Sequence, residues 1–368
     1  MKRDDAAFMA LAIAEARKAL GRTHPNPAVG AVLVKRGEVV GRGFHARAGQ
    51  PHAEIVALRD AGAEAKGATL YSTLEPCNHH GRTPPCTEAI IAAGVRRVVY
   101  GSADPNPLVN GKGRRRLVRA GIAVTPHVLR DEADALNRPF LKAMTTGRAW
   151  VTLKAGITLD GKLATGTGRS KWITSEAARE EAHRLRDRAD AILVGATTVR
   201  RDDPALTTRL PGGRSPARLV LDPNLSTSPK AKLYAPTGGT RRIVVTTAAA
   251  ADRASAFLRR GVEVWPLAVK RGRLDLDGLL VRLAHEGLLH LLVEGGALVH
   301  QSFLRAGLAD EVVLFVAPKL FGDPGLTWTG ALGVERPEQA VRLEGLEARP
   351  VGPDLMITAR LRARARSR

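Results

Sequence analysis

Apolar residues at helical spacing alternate with short apolar runs bounded by turn residues, and this alternation starts twice along the 368-residue chain. Residues 4–20 set Ala7, Phe8, Leu11, Ala12, Ala16, Ala19 and Leu20 near one helical face, with Gly21 as a stop. Strands are predicted at 29–34 and 38–43 around a turn at Lys35, Arg36 and Gly37, then a helix at 52–63, a strand at 68–73, a helix at 85–93 and a strand at 95–101. The second run begins after Asn137, with strands at 150–155, 191–194, 218–221, 241–246, 290–293 and 311–317 and helices at 175–188 and 298–304. Alternation of this kind implies α/β layers about a central sheet. The restart puts a boundary near 145–149, so the domains are taken as 1–147 and 148–368, each long enough to bury its own core. Gly- and Pro-rich stretches at 210–215 and 235–240 are predicted as exposed loops.

Composition narrows the function classes. Cys77 and Cys86 are the only cysteines, which excludes a disulfide framework. No run approaches the ~18 consecutive apolar residues of a membrane span, and Met1-Lys2-Arg3-Asp4-Asp5 leads into no signal-peptide core. A cytoplasmic protein with no membrane partner is expected. Lys+Arg 57 against Asp+Glu 36 gives a net charge of +21. Such charge fits nucleic acid, a phosphorylated substrate or an Arg-rich proteome. Outside Arg114, Arg115, Arg116 and the arginines at 360–368, however, the basic residues are dispersed, and aromatic residues are 4% of the chain. A single-strand-gripping surface needs clustered cations with stacking rings. A small anionic substrate is therefore expected rather than nucleic acid, with an RNA-gripping basic second domain as the alternative.

His52-Ala53-Glu54 opens one predicted helix, and Pro76-Cys77 with Cys86 opens another, so one imidazole and two thiolates can converge. Three protein ligands with an open fourth position are the pattern of catalytic zinc, which brings the pKa of water to about 7. Glu54, two residues from His52, reaches that water without being a ligand and can carry a proton to a leaving amine. His-x-Glu with two cysteines is the layout of the zinc deaminases. The plainer reading makes the cysteines buried hydrophobes and His52 a helix cap. Against it stands the polar loop 78–85 between the cysteines, which has no core role. His79 and His80 are less suited than thiolates to this softer metal and are expected at substrate.

Asn26-Pro27-Ala28-Val29-Gly30, Gly41-Arg42-Gly43-Phe44-His45, His52-Ala53-Glu54 and the run from Pro76-Cys77 to Pro85-Cys86 resemble the bifunctional riboflavin-biosynthesis deaminase/reductase family. The eight residues between the cysteines are similar to that family, whereas deaminases of cytidine or tRNA usually have two. The resemblance implies a cytidine-deaminase-like α/β/α sandwich in which Asn26, His45, His79 and Arg82 hold a pyrimidine and its ribose phosphate. Asn78 stands where the family often has serine. Asp104-Pro105-Asn106-Pro107 and Gly111-Lys112-Gly113 resemble a segment lining the same pocket, or are turns.

No Gly-x-Gly-x-x-Gly follows a strand in the second half, so a Rossmann fold has no support. Residues 154–162, 170–175, 190–195, 198–207 and 293–296 resemble the reductase half of the same family, which implies a dihydrofolate-reductase-like α/β domain. Glu294-Gly295-Gly296 also has its own physical reading, because a strand there ends at the start of a helix whose amides can bind a diphosphate. By the resemblance, Ser170, Arg186, Leu206, Arg209 and Glu294 contact substrate, and Gly156, Trp172, Thr198, Asp202 and Gly296 contact NADPH. Trp172 reads equally as core packing. Lys154 is a proton donor, a phosphate anchor or a solvated lysine. The implied function is zinc-dependent deamination of a phosphorylated diaminopyrimidinone followed by NADPH-dependent reduction of its ribosyl chain, in a homo-oligomer.

Overall fold

The structure, a computed structural model, describes residues 3–79, 84–105 and 110–362. They fall into two compact units, Met1–Arg148 and Ala149–Arg368.

The first unit runs α1 Arg3–Arg17, β1 Gly30–Lys35, β2 Glu38–Phe44, α2 Ala53–Ala61, β3 Thr69–Leu74, α3 Cys86–Ala92, β4 Arg97–Ser102, α4 Lys112–Arg119, β5 Ala123–Thr125, α5 Arg130–Leu136 and α6 Arg138–Thr146. Its sheet has the order β2-β1-β3-β4-β5, antiparallel at β2-β1-β3 and parallel at β3-β4-β5. Strand side chains alternate between faces, and the two cores separate accordingly. Ala31, Leu33, Leu70 and Val98 pack with Ala53, Ala57, Ile90 and Leu117 of α2, α3 and α4. Val32, Val34, Tyr71 and Val99 pack with Met9, Ala12 and Ile13 of α1. The result is the expected α/β/α sandwich. α2 lies directly on β2 because a Cβ at Gly43 would sit 2.5 Å from the Ala53 carbonyl. That close approach brings His45, just after β2, to His52, with ring centroids 5.5 Å apart.

The second unit is built on nine strands: β6 Trp150–Thr158, β7 Ala191–Gly195, β8 Ala217–Leu221, β9 Arg242–Thr247, β10 Glu263–Leu267, β11 His290–Val293, β12 Glu311–Ala317, β13 Leu343–Val351 and β14 Asp354–Leu361. Their order is β10-β9-β8-β7-β11-β6-β12-β14-β13. The first seven in that order are mutually parallel, and the β14-β13 hairpin closes one edge antiparallel. The principal helices are α7 Glu176–Arg188, α8 Ala196–Asp202, α9 Leu276–His285 and α10 Ala297–Ala306. α9 and α10 cover one face through Leu279, Leu280, Leu283, Phe303 and Leu304. Leu185 of α7 and Val199 of α8 pack on the other with Ile192, Val194 and Leu292. Parallel strands covered on both faces read as continuous apolar runs, which is why 191–194 and 290–293 were legible.

The structure departs from the sequence pattern at Cys77, and it contains elements that the pattern did not announce, among them α4, α5, α6, α8, α9, β5, β10, β13 and β14. Cys77 lies in the loop after β3 rather than at a helix start, and α3 begins at Cys86. α4 is a helix of sequence KGRRRLVR in which Gly113 and Leu117 are the buried residues, so no apolar period announces it. β13 exposes eight of its nine residues, so burial leaves no alternation to read.

Candidate active sites

In the first unit, His52 is the N-cap of α2, Glu54 lies in its first turn, and Cys86 is the first residue of α3. The Cys86 amide donates to Cys77 Sγ at 3.3 Å, and this tie brings the loop thiol to the helix start. His52 Nδ1 lies 3.2 Å from Cys86 Sγ and 3.6 Å from Cys77 Sγ. All three donor atoms fall within 4.8 Å of one another. Hydrogen bonding between the sulfurs pulls the Cys77 thiol down to about 4 and pushes Cys86 up. Two soft donors and one imidazole converging on a common point fit zinc. Glu54 is 4% exposed, and its Oε2 takes the Cys86 thiol at 3.6 Å. Burial raises this carboxyl above its ordinary value, which suits a group that takes and returns a proton.

Beside the cluster, His45 is buried, and the Pro51 carbonyl lies 3.1 Å from its Nδ1. A carbonyl only accepts, so Nδ1 carries the hydrogen and Nε2 takes the Asn26 amide at 3.1 Å. Burial lowers the His45 pKa, in keeping with a neutral ring. Asn26 and His45 are thus one hydrogen-bonded pair. His79 Nδ1 is shielded from solvent without a hydrogen-bond partner in the structure. Asn78 Oδ1 accepts from Thr87 at 2.8 Å, which ties the loop to α3. Arg82 and His80, like Asn106 and Pro107, lie outside the described residues. Sequence reasoning missed Glu75, 2% exposed, which accepts from the amides of Gly111 and Arg114, each at 3.0 Å. It fixes the start of α4 beside Pro76, and its one sequence signal was a carboxylate ending an apolar strand.

In the second unit, Ser170, Arg186, Leu206, Arg209, Glu294, Gly156, Trp172, Thr198, Asp202 and Gly296 all line one cleft at the C-terminal ends of the parallel strands. That edge is where open α/β sheets bind ligands. Glu294 follows β11 and is held by Arg186 through Nε at 2.7 Å and Nη2 at 2.8 Å. Arg186 also donates to the Thr207 carbonyl at 3.0 Å, and Lys154 Nζ stands 3.9 Å from Glu294. Burial raises the Glu294 carboxyl, but the charges of Arg186 and Lys154 outweigh it and bring the value to about 2. Lys154 is not solvated: its side chain is 16% exposed, and burial lowers its pKa. Trp172 is 64% exposed and stacks under Arg179 at 4.6 Å, so it is a cleft wall and not core.

α8 and α10 begin at this edge with glycine N-caps, Gly195 and Gly296, and no side chain caps either helix. Gly295 has φ +108, a conformation open to glycine alone, and its carbonyl receives the Gly195 amide at 3.0 Å. A Cβ at Gly296 would lie 3.3 Å from Thr198 Oγ1. Two helix starts without a side-chain cap at this edge suit a diphosphate. Twelve Lys and Arg against eight Asp and Glu line the cleft, favouring an anionic cofactor and substrate. The residues present therefore fit NADPH.

Comparison with known proteins agrees across both units. The RibD C-terminal domain family matches residues 149–357, and the cytidine and deoxycytidylate deaminase zinc-binding region matches residues 2–102. Riboflavin biosynthesis protein RibD of Aquifex aeolicus is 47% identical over 358 residues, covering 96% of this chain and 97% of the relative. The solved structure of Acinetobacter baumannii RibD superposes with a TM-score of 0.89 at 38% identity, covering 98% of this chain and 99% of that one. A Thermotoga maritima diaminohydroxyphosphoribosylaminopyrimidine deaminase/5-amino-6-(5-phosphoribosylamino)uracil reductase superposes at 0.87 and 36% identity, covering 98% and 99%.

Proposed function

The chain belongs to the RibD family, and from that premise we propose that residues 1–148 deaminate and residues 149–368 reduce the same phosphorylated pyrimidine. It is a zinc-dependent deaminase and NADPH-dependent reductase of riboflavin biosynthesis. The observation that carries the reading is the convergence of His52 Nδ1, two thiols and the buried Glu54 carboxylate at two helix starts.

In the first reaction the 2-amino group of 2,5-diamino-6-(5-phosphoribosylamino)pyrimidin-4(3H)-one is exchanged for oxygen from water, and ammonia leaves. His52, Cys77 and Cys86 would hold the zinc ion, which when bound would make water a nucleophile at neutral pH. Glu54 takes the water proton and delivers it to the departing amine. Asn26, paired with His45, orients the ring, while His79 and Arg82 hold the ribose phosphate end. Reduction then opens the ribosyl unit to ribityl, with the hydride supplied by NADPH. Gly156, Trp172, Thr198, Asp202 and Gly296 seat the cofactor, and Ser170, Arg186, Leu206, Arg209 and Glu294 the substrate. Lys154, buried beside Glu294, supplies the proton that accompanies the hydride.

The test is turnover of the diaminopyrimidinone by the full chain. Ammonia release without NADPH, and NADPH oxidation only after deamination, are expected; no ammonia release overturns the first half. Two unbridged cysteines suit a reducing, cytoplasmic setting. We also propose self-association through the exposed edge strand β13, on which Leu343 and Leu346 are exposed. A monomeric mass by light scattering overturns that.

A further inference from the structure

One titratable side chain in the second cleft serves neither the ion pairs nor the cofactor cradle. His183 lies on α7 one turn before Arg186, and both line the cleft. Its Nδ1 is shielded from solvent and has no hydrogen-bond partner in the structure. Polar atoms in such positions are uncommon because desolvation is left unbalanced, and a bound ligand is one way of balancing it. The charges that act on the ring are those of Arg186 on its own helix, Arg209 from the loop after α8, Glu294 after β11 and Lys154 from β6, which line the same cleft. Of the four acids on α7, three are engaged elsewhere, Asp187 with the Arg214 amide, Glu180 with Arg184, and Glu181 with Arg184 and Arg349, and Glu176 is the first residue of the helix, seven positions before His183. Burial first, then the cations, hold the imidazole below its ordinary value, so the ring is neutral near pH 7 in the free enzyme.

We propose that His183 is an anion-responsive substrate contact of the reductase site, taking a proton from solvent when the substrate phosphate settles beside it and Arg209. The inference rests on the reductase reading of this cleft. A phosphate dianion adds negative charge where the free enzyme presents mainly cations to the ring, and so favours imidazolium. Both ring nitrogens then donate. Binding linked to proton uptake strengthens as pH falls, by up to about tenfold per pH unit between the bound and free values of the histidine.

The phosphate itself titrates near pH 6, so a variant has to serve as the reference. KM for the deaminated phosphoribosylaminouracil is measured with saturating NADPH from pH 5.5 to 8.5 in the full-length wild type, His183→Gln and His183→Leu. Glutamine keeps a neutral hydrogen-bonding group and cannot titrate. The KM ratio of His183→Gln to wild type is expected near one at pH 8.5, rising to about tenfold by pH 6. His183→Leu raises KM across the whole range, and deamination by both variants is unchanged, which reports an intact chain. A His183→Gln ratio that stays flat with pH overturns the proposal while leaving the reductase reading in place. Wild-type enzyme that oxidises no NADPH with this substrate overturns the reductase reading and the proposal with it.

Discussion

The two units solve different chemical problems with different densities of side chains. In the first, the donor atoms of three residues lie within 4.8 Å of one another, and the buried Glu54 carboxyl is 3.6 Å from one of them. In the second, functional groups are distributed along a cleft with backbone amides, one buried ion pair and an excess of cations. The difference follows from where the reactive atoms reside. Hydrolysis needs a nucleophile assembled by the protein, so ligand distances are tight and single residues decisive. Hydride transfer belongs to the cofactor, so the protein supplies position and charge.

Cys86→Ala is expected to break the first unit most completely. One of the three proposed ligands, the helix-start thiol, is removed, while the backbone amide that holds Cys77 Sγ stays. Metal analysis should fall from one zinc per chain to near none, and deamination should vanish while reduction of the deaminated substrate continues. Retention of zinc by this variant refutes the ligand set. Glu54→Gln separates chemistry from metal binding: zinc should stay, and deamination should fall by roughly 10²–10⁴-fold. A parallel fall in reduction would erase the contrast between the two sites.

In the second unit the strongest single dependence is predicted for Arg186. Its removal leaves the Glu294 carboxylate, side chain 9% exposed, without its bidentate partner. Arg186→Met should lower the stability of this unit by about 3–5 kcal/mol and abolish reduction, with deamination retained; denaturant unfolding followed alongside both assays checks it. The same pair predicts a pH dependence. With the Glu294 value depressed from 4.5 to about 2, its contribution is fully present above pH 4.5 and is lost as pH falls through 2. Glu294→Gln should therefore flatten stability against pH in that window.

The smallest effect concerns cofactor choice. The cationic excess of the cleft should favour NADPH over NADH by about tenfold, one charge-assisted phosphate contact being enough. High salt should narrow that margin. Equal affinities in a binding titration at low salt would show that charge does not select the cofactor here.

Much of the first site was legible because its chemistry demands particular residue types at short spacing. His52-x-Glu54 sits within one helical turn, and Cys77 and Cys86 are the only thiols in the chain. Six of the nine strands in the second unit's sheet were legible from their apolar runs, whereas β10 and β14 were not predicted and α4 and β13 bury too few side chains to leave a pattern. Glu294 and the glycines after it were visible at a strand end. What that carboxylate binds was not, because Arg186 lies 108 residues away.

The amino-acid order by itself determined the alternation of elements, the donor types for the metal and the glycine positions at the helix starts, since each depends on neighbours within a few residues. Tertiary structure alone decided that the Cys86 amide holds Cys77, that Asn26 and His45 are hydrogen-bonded, that Trp172 walls a cleft, and that His183 lines the same cleft as Arg209. The physical reason is that burial, charge coupling and hydrogen-bond partnership depend on distance in space. Chain closure across tens of residues sets those distances, and a local pattern does not encode them.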